Sequence, residues 1–343
     1  MDVLDDLLAG TRARGGVFNL TILDPPWALH IIDEAPLALA TLVRGSAWIV
    51  RAGCDPIRME ERDVAVLSGP EPYVVADQPG TEPQLRIHPG GICEPLPGAP
   101  IDYSARLGVR TYGGRPEGAA MVVSGTYQLE GDVSRRLLAA LPPVLVVPAA
   151  DVAGHVMDMV LGEIQRDEPG QQSVLVVPAQ AVAGHVMSMV LGEIQRDEPG
   201  QQSVLDRWLD LALIITLRAW FARPESHAPG WYQAQSDPVV GLALRLLHED
   251  PAHPWSVVEL ADRTGVSRAS LARRFSGLVG EAPMAYLTGW RIALAADLLR
   301  ETTDTVESIA RRVGYANAFA LSVAFKRVRG TSPTAHRRSS TAA

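Results

Sequence analysis

Two segments in the last third of the chain, Ser256 to Arg274 and Thr305 to Arg327, spell the same helix-turn-helix plan about 50 residues apart. In the first, Ser256-Val257-Val258-Glu259 has the form of a capping box: the Ser side chain accepts from the third helical N–H while Glu259 reaches back. A helix is therefore expected to start at Ser256. Leu260 and Ala261 supply its apolar face, and Gly265 in Thr264-Gly265-Val266 can take the positive φ that a sharp turn requires. Ser267 then caps a second helix on which Leu271 and Phe275, four apart, face inward. Arg268, Ser270, Arg273 and Arg274 are left to project elsewhere, as on a recognition helix.

The second unit repeats the plan. Thr305 or Asp304 caps, Ile309-Ala310 matches Leu260-Ala261, Gly314-Tyr315 matches Gly265-Val266, and Asn317 caps the next helix. Leu321 and Phe325 fall on Leu271 and Phe275, so the inward positions agree. The outward ones do not: Arg268, Arg273 and Arg274 correspond to Ala318, Val323 and Ala324. The first recognition helix is thus expected to carry most of the base reading. The second would depend on Asn317 and Ser322, with phosphate contacts from Lys326 and Arg327. One such pattern is weak, because amphipathic helix pairs joined at Gly are common. Two in register, joined by an apolar helix over Met284–Leu299 with Trp290, Ile292, Leu294 and Leu298, point to sequence-specific binding of double-stranded DNA.

Through "ELADRTGVSRASLARRF", "PMAYLTGWRIALAADLL", "SIARRVGY" and "AFKRVRGTSP", the stretch from Asp237 to Arg338 resembles the DNA-binding domain of AraC/XylS-type bacterial transcription regulators. The resemblance implies seven helices, with the two recognition helices entering successive major-groove segments about 34 Å apart on one face of DNA. It also implies a promoter as target, activation more than repression, and RNA polymerase as a further partner. Val323 departs from the family, which commonly has a basic or polar residue there.

Charge divides the chain in the same place. From Asp237 onward there are 14 Lys and Arg against 10 Asp and Glu, and upstream 17 against 29. An acidic partner domain suppresses indiscriminate binding to phosphate and argues against a membrane-surface role. At 343 residues two domains are expected, since one core rarely grows beyond about 250 to 300 residues. The start "MDVLDDLLAGTRARGG" has no long apolar run, and no stretch reaches the ~18 apolar residues of a membrane helix, so a cytoplasmic protein is expected.

Short runs at Val17–Leu23, Trp27–Ile32, Leu37–Val43, Ala47–Val50, Asp63–Leu67 and Tyr73–Ala76, separated by Gly, Pro and Asp, predict a small β sandwich or barrel. Further runs lie near Gln84–His88, Val109–Tyr112 and Ala120–Leu129. Their order ahead of the C-terminal domain resembles the cupin-like sensor domain of one branch of these regulators, which implies a jelly roll able to hold a small effector. The competing class is a cupin-type metal-dependent enzyme fused to a DNA-binding domain. Such a site usually needs a close His pair with a carboxylate and another His. The strand region has only His30 and His88, with Tyr73 where a later ligand would fall, so neither metal nor cofactor is expected and the protein is read as no enzyme. Cys54 and Cys93 cannot build a disulfide framework or structural zinc site, but the resemblance implies that such sensor-domain cysteines can sense oxidants, and Cys93 near His88 suggests a thiol of lowered pKa; the alternative is that each is a small, partly buried apolar residue or a solvated loop thiol.

Residues 144–173 and 174–203 are a direct tandem repeat, differing only at Ala150/Gln180, Asp151/Ala181 and Asp158/Ser188. Two copies are too few for a solenoid. Each reads as an extended "VLVVP" followed by an amphipathic helix with Val152, Val156, Met159 or Val160 and Ile164 on one face. His155 and His185 recur only because the segment does. The second copy runs into an apolar helix, Val204 to Phe221, with Trp208, Leu211, Ile215 and Trp220, and this region resembles the family's dimerisation segment, implying a homodimer. The expected fold is α+β multidomain: a cupin-like β-barrel over 1–142, a helical dimerisation segment over 143–222, a linker over 223–236, and an all-α double helix-turn-helix domain over 237–338. Its two units span 256–276 and 305–327.

Overall fold

The computed structural model describes residues 3–4, 7, 17–99, 101–127, 131–152, 190–196, 198–226 and 228–341. The predicted helix faces at Val156, Met159, Val160 and Ile164, with His155, His185 and most of the second repeat copy, lie outside the described residues. Two compact units result. One comprises Arg12–Leu129 and Leu141–Ser226; the other comprises Met1–Thr11, Glu130–Ala140 and His227–Ala343.

The first unit is built from thirteen described strands: β1 (Val17–Leu23), β2 (Ala28–Ile31), β3 (Leu37–Arg44), β4 (Ala47–Arg51), β5 (Ile57–Met59), β6 (Val64–Ser68), β7 (Tyr73–Ala76), β8 (Leu85–His88), β9 (Ile92–Pro95), β10 (Arg106–Gly108), β11 (Thr111–Gly113), β12 (Ala120–Tyr127) and β13 (Val144–Val147). They form a seven-stranded sheet ordered β10-β11-β1-β12-β3-β6-β13 and a six-stranded sheet ordered β5-β4-β7-β2-β8-β9. Leu23, Ala38, Leu42, Leu67 and Val122 from the first meet Leu29, Ile49, Met59, Val75 and Leu85 from the second in one buried core around Trp27.

The opposite face of the larger sheet is also covered. Helix α2 (Gln201–Phe221) buries Leu205, Leu209 and Leu213, and Leu209 Cδ1 lies 2.7 Å from where a side chain on Gly125 would begin, so the helix packs closely over this glycine and a larger residue would require Leu209 to shift. Arg110 Nη2 donates to Gln202 Oε1 at the start of the same helix, at 2.8 Å. Burial on both faces explains why β3 reads as a nearly unbroken apolar run rather than an alternating one. The first repeat copy supplies β13, which pairs antiparallel with β6 through Val144↔Leu67 to Val147↔Val64. Its "VLVV" is thus a true edge strand of this sheet.

The second unit contains α1 (Asp132–Leu138) and α3 (Gly230–Gln233) ahead of seven further helices: α4 (Val240–Glu249), α5 (Val257–Thr264), α6 (Arg268–Val279), α7 (Pro283–Glu301), α8 (Val306–Arg312), α9 (Ala318–Arg329) and α10 (Pro333–Thr341). Seven helices from Val240 onward, among the described residues, match the number the resemblance implies. Helix α7 is the spine. Its Ile292, Ala295, Ala296 and Leu299 share a core with Ile309, Leu321 and Phe325, while Tyr286 lies edge-on to Phe275 at 5.9 Å.

Helix α1 was expected with the strands and belongs instead to this helical unit. The cause is local. Asp297 of α7 accepts from the N–H of Asp132 at 2.6 Å and of Val133 at 3.1 Å, capping α1, and Val133 and Leu137 are buried. Asp132, itself buried, forms ion pairs with Arg135 and with Arg329 at the end of α9. The stretch expected to be a plain linker, 223–236, carries helical turns at Pro224–Ser226, Gly230–Gln233 and Ala234–Ser236. Gly230 comes so close to the Leu278 carbonyl that a side chain there would stand 2.3 Å from it. This backbone approach, invisible to composition, fixes the segment against α6.

Candidate nucleic-acid interface

The two helix-turn-helix units are built by matched local chemistry. Ser256 Oγ accepts from Glu259 N–H at 3.1 Å and Ser267 Oγ from Ser270 N–H at 3.2 Å. In the second unit, Thr305 Oγ1 accepts from Ser308 N–H at 3.1 Å and Asn317 Oδ1 from Ala320 N–H at 2.9 Å. Of the two candidate caps for α8, Thr305 takes the position and Asp304 pairs with Arg312 at 2.7 Å. The turn glycines adopt the left-handed conformation, φ +71° at Gly265 and +84° at Gly314. At Gly314 there is no room either, since a Cβ would lie 2.7 Å from the Ala252 carbonyl oxygen.

One element of the capping box differs from expectation. The Glu259 carboxylate does not reach back to Ser256; its Oε1 lies 2.8 Å from His253 Nε2. The imidazole, tilted 57° to the Trp255 ring at 4.2 Å, takes the Glu259 carboxylate in place of the Ser256 N–H.

On α6, Leu271 and Phe275 are buried, and Arg268 and Arg273 are exposed with no intramolecular ion pair assigned to either among the described residues. Ser267 is engaged as the cap and Ser270 is half-buried. Arg274, expected to face outward for DNA, instead donates through Nε and Nη2 to Asp237 Oδ2 at 2.8 and 2.7 Å. Against the opposing effect of burial, the N–H groups of Val240 and Val239 together with Arg274 hold the Asp237 carboxyl below its ordinary value. Arg274 therefore ties α6 to the start of α4. The pairing partner lies 37 residues upstream, which no local pattern announces.

On α9, Leu321, Ala324 and Phe325 are buried. Ser322 Oγ donates back to the Ala318 carbonyl at 2.7 Å, and Glu307 reinforces the cap by accepting from Ala318 N–H at 2.8 Å. Lys326 and Arg327 are exposed. The outward surface is dominated by Phe319, 78% exposed, and Val323, 54% exposed. Sequence reasoning passed over Phe319. The signal was available: it takes the place of Ala269 in the first unit and lies four residues before Val323.

In the strand unit, His30 and Arg86 are register partners, so they and His88 occupy one face of the six-stranded sheet, while Leu29, Ile31, Leu85 and Ile87 line the core. The two imidazoles consequently point away from the core between the sheets. His88 Nε2 lies 2.7 Å from Glu94 Oε2 on this outer face. Tyr73 is packed against the core, and burial with nearby Asp33 pushes its phenol far above the ordinary range. Among the described residues no group of three or more His, Cys, Asp and Glu comes together in a way that could hold a metal ion. The expected lowering of the Cys93 thiol is reversed: burial, with Asp102 adding to it, pushes it up. His88 lies on the opposite face of the sheet, paired with Glu94, while Cys93 packs against the core. Cys54 sits in the β4–β5 turn and Cys93 on β9, at opposite sides of the six-stranded sheet with three strands between them. That separation is far beyond the ~7 Å Cα limit for a disulfide.

The cupin family pattern matches residues 2–177 and 173–222, two stretches that meet at the junction of the tandem copies, and the helix-turn-helix domain family matches 260–339. A protein of Streptomyces antibioticus named as an AraC-like transcription regulator is 31% identical over 344 residues, covering 98% of this chain and 99% of its own. The chain belongs to the AraC-like transcription regulators. Another relative, the RCS-specific HTH-type transcriptional activator RclR of Escherichia coli, is 37% identical over 100 residues, 29% of this regulator and 35% of RclR. A solved structure of the DNA-binding domain of AdpA in complex with a target DNA is 34% identical, covering 31% of the regulator and 96% of that chain, with a TM-score of 0.30. In the regulator itself, no helix among the described residues is long and apolar enough to cross a membrane.

Proposed function

We propose that this AraC-like regulator is a cytoplasmic, homodimeric activator that binds a promoter through both helix-turn-helix units and responds to a small molecule received by the cupin-like domain. The observation that carries the reading is α6: an exposed recognition helix with Arg268 and Arg273 free of intramolecular ion pairs among the described residues, on a domain whose formal charge is positive. Arginine in that position suits guanine O6 and N7, and Lys326 and Arg327 on α9 suit phosphate. Asn317 and Ser322 would contribute only through the atoms their internal hydrogen bonds leave over. The activator sign follows the family and RclR, which is named a transcriptional activator, with RNA polymerase as the further partner.

Dimerisation is supported by α2. Its inner leucines are buried, yet Val204, Trp208 and Leu211, at i, i+4 and i+7, keep a partly open apolar stripe. A small-molecule signal is favoured over an oxidant because the Cys93 thiol is pushed up and Cys54 lies out of reach. The Trp27 indole N–H, fully buried between the sheets, also has no acceptor among the described residues. A polar atom of a ligand would satisfy it.

The test is a footprint of the full-length chain on the DNA flanking its own gene, with an Arg273→Ala variant beside it and a reporter driven from the protected promoter. A discrete protected stretch that the variant loses, with reporter output falling when the regulator is deleted, is the expected result. Uniform protection of every sequence, unchanged in the variant, would refute sequence-specific binding. A reporter that rises on deletion would refute activation alone.

A further inference from the structure

We infer that the second recognition helix reads thymine methyl groups through Phe319 and Val323, so that the half-site facing α9 is recognised by apolar contact where the half-site facing α6 is recognised by arginine. The inference rests on the proposed DNA-binding role and specifies its second half.

Phe319 and Val323 are four residues apart and stack along one face of α9, with Ser322, Lys326 and Arg327 completing the same stripe. Single exposed apolar residues are ordinary, but a phenyl ring and an isopropyl group side by side at 78% and 54% exposure leave a continuous apolar patch in water. Two of the polar side chains near the start of this helix are partly engaged internally. Asn317 Oδ1 is bonded to Ala320 N–H and Ser322 Oγ to the Ala318 carbonyl.

What covers the patch follows from its frame. Helix α9 contains no Asp or Glu, and Lys326 and Arg327 flank the apolar pair one turn further on. The surface is therefore an apolar centre with a cationic border, on the second of two matched recognition helices. A duplex offers the complementary arrangement: phosphates at the groove edge and, within the major groove, a single apolar feature, the C5 methyl of thymine. Duplex DNA is favoured over a protein partner because α9 is the second helix of a helix-turn-helix unit matched to the one that carries α6.

The probe is the duplex that the full-length chain enriches from a random-sequence pool. Each thymine of that site is replaced singly by deoxyuridine, which deletes the methyl and leaves the hydrogen-bonding groups of the base in place. At one or more positions binding should weaken about fourfold, the equivalent of ~0.8 kcal/mol for one buried methylene-sized group. In a Phe319→Ala, Val323→Ala double variant, thymine and uridine duplexes should bind equally at those positions. Both residues are exposed, so the variant should melt as the parent does. Equal binding of every uridine duplex by the parent, or a methyl preference that survives in the double variant, would overturn the inference. If Arg273→Ala destroys site preference while uridine has no effect, DNA binding stands and the methyl reading falls. A double variant that binds DNA as the parent does but fails to recruit RNA polymerase would likewise overturn it. A pool from which no sequence is enriched would overturn both readings.

Discussion

Helices α6 and α9 have the same interior and different exteriors. Leu271 and Phe275 on one, Leu321 and Phe325 on the other, are all fully buried, and each helix begins at a side-chain cap three residues before the N–H it satisfies. Outside, Ala269, Ala272 and Arg273 on α6 face solvent or its edge where α9 presents Phe319, Ser322 and Val323. The inward positions are held by packing density, which penalises any change in volume. The outward ones are free of that volume constraint, although Arg274 and Ser322 still bond within the molecule. Two units sharing one fold thus present different side chains to the outside.

The largest effect that would test this comparison is in the shared interior. Phe275→Ala and Phe325→Ala should each lower stability by about 3 to 5 kcal/mol, as for a fully buried ring, when measured by denaturant unfolding. A marked difference between the two would show that the interiors are not equivalent. Next, Arg273→Ala should weaken binding to the preferred duplex by about 1 to 3 kcal/mol and relax preference at the bases it meets. Val323→Arg, which gives α9 the side chain found at its counterpart, should move preference in the second half-site toward guanine, as read by repeating the selection. Ser267→Ala and Asn317→Ala should each cost about 1 kcal/mol of stability through the lost caps. If Asn317→Ala also changes base preference, its amide reads DNA as well as capping. Smallest and least specific, Lys326→Ala should weaken binding to all sequences alike and reduce the slope of log affinity against log salt by about 1.

Much of this was legible in the chain because the signals are local. Ser256, Ser267 and Asn317 announce helix starts within four residues, Gly265 and Gly314 mark turns, and the strands from Val17–Leu23 to Tyr73–Ala76 are bounded by their own turn residues. What escaped was set by distant partners. Arg274 is exposed and basic like Arg273, and only the approach of Asp237 distinguishes their roles. The strands Ile57–Met59, Ile92–Pro95 and Arg106–Gly108 are too short to show a period and exist through pairing with β4, β8 and β11. Cys93 stands near His88 in sequence, whereas burial and Asp102, neither visible there, push its thiol up.

The docking of α1 on α7 means that covalent order and physical membership do not coincide in this regulator. A fragment cut at the 223–236 stretch, or a hybrid joining these strands to a relative's C-terminal half, would separate the Asp297 carboxylate from the two N–H groups it accepts and Arg329 from Asp132. Burial already pushes the Asp297 carboxyl above its ordinary value, so it tolerates charge poorly even with both donors in place. Recombination among such regulators is thereby restricted. Residues 132–138 and the helical half they clasp must come from the same parent, although β13 and α2 of the strand unit lie between them in the gene.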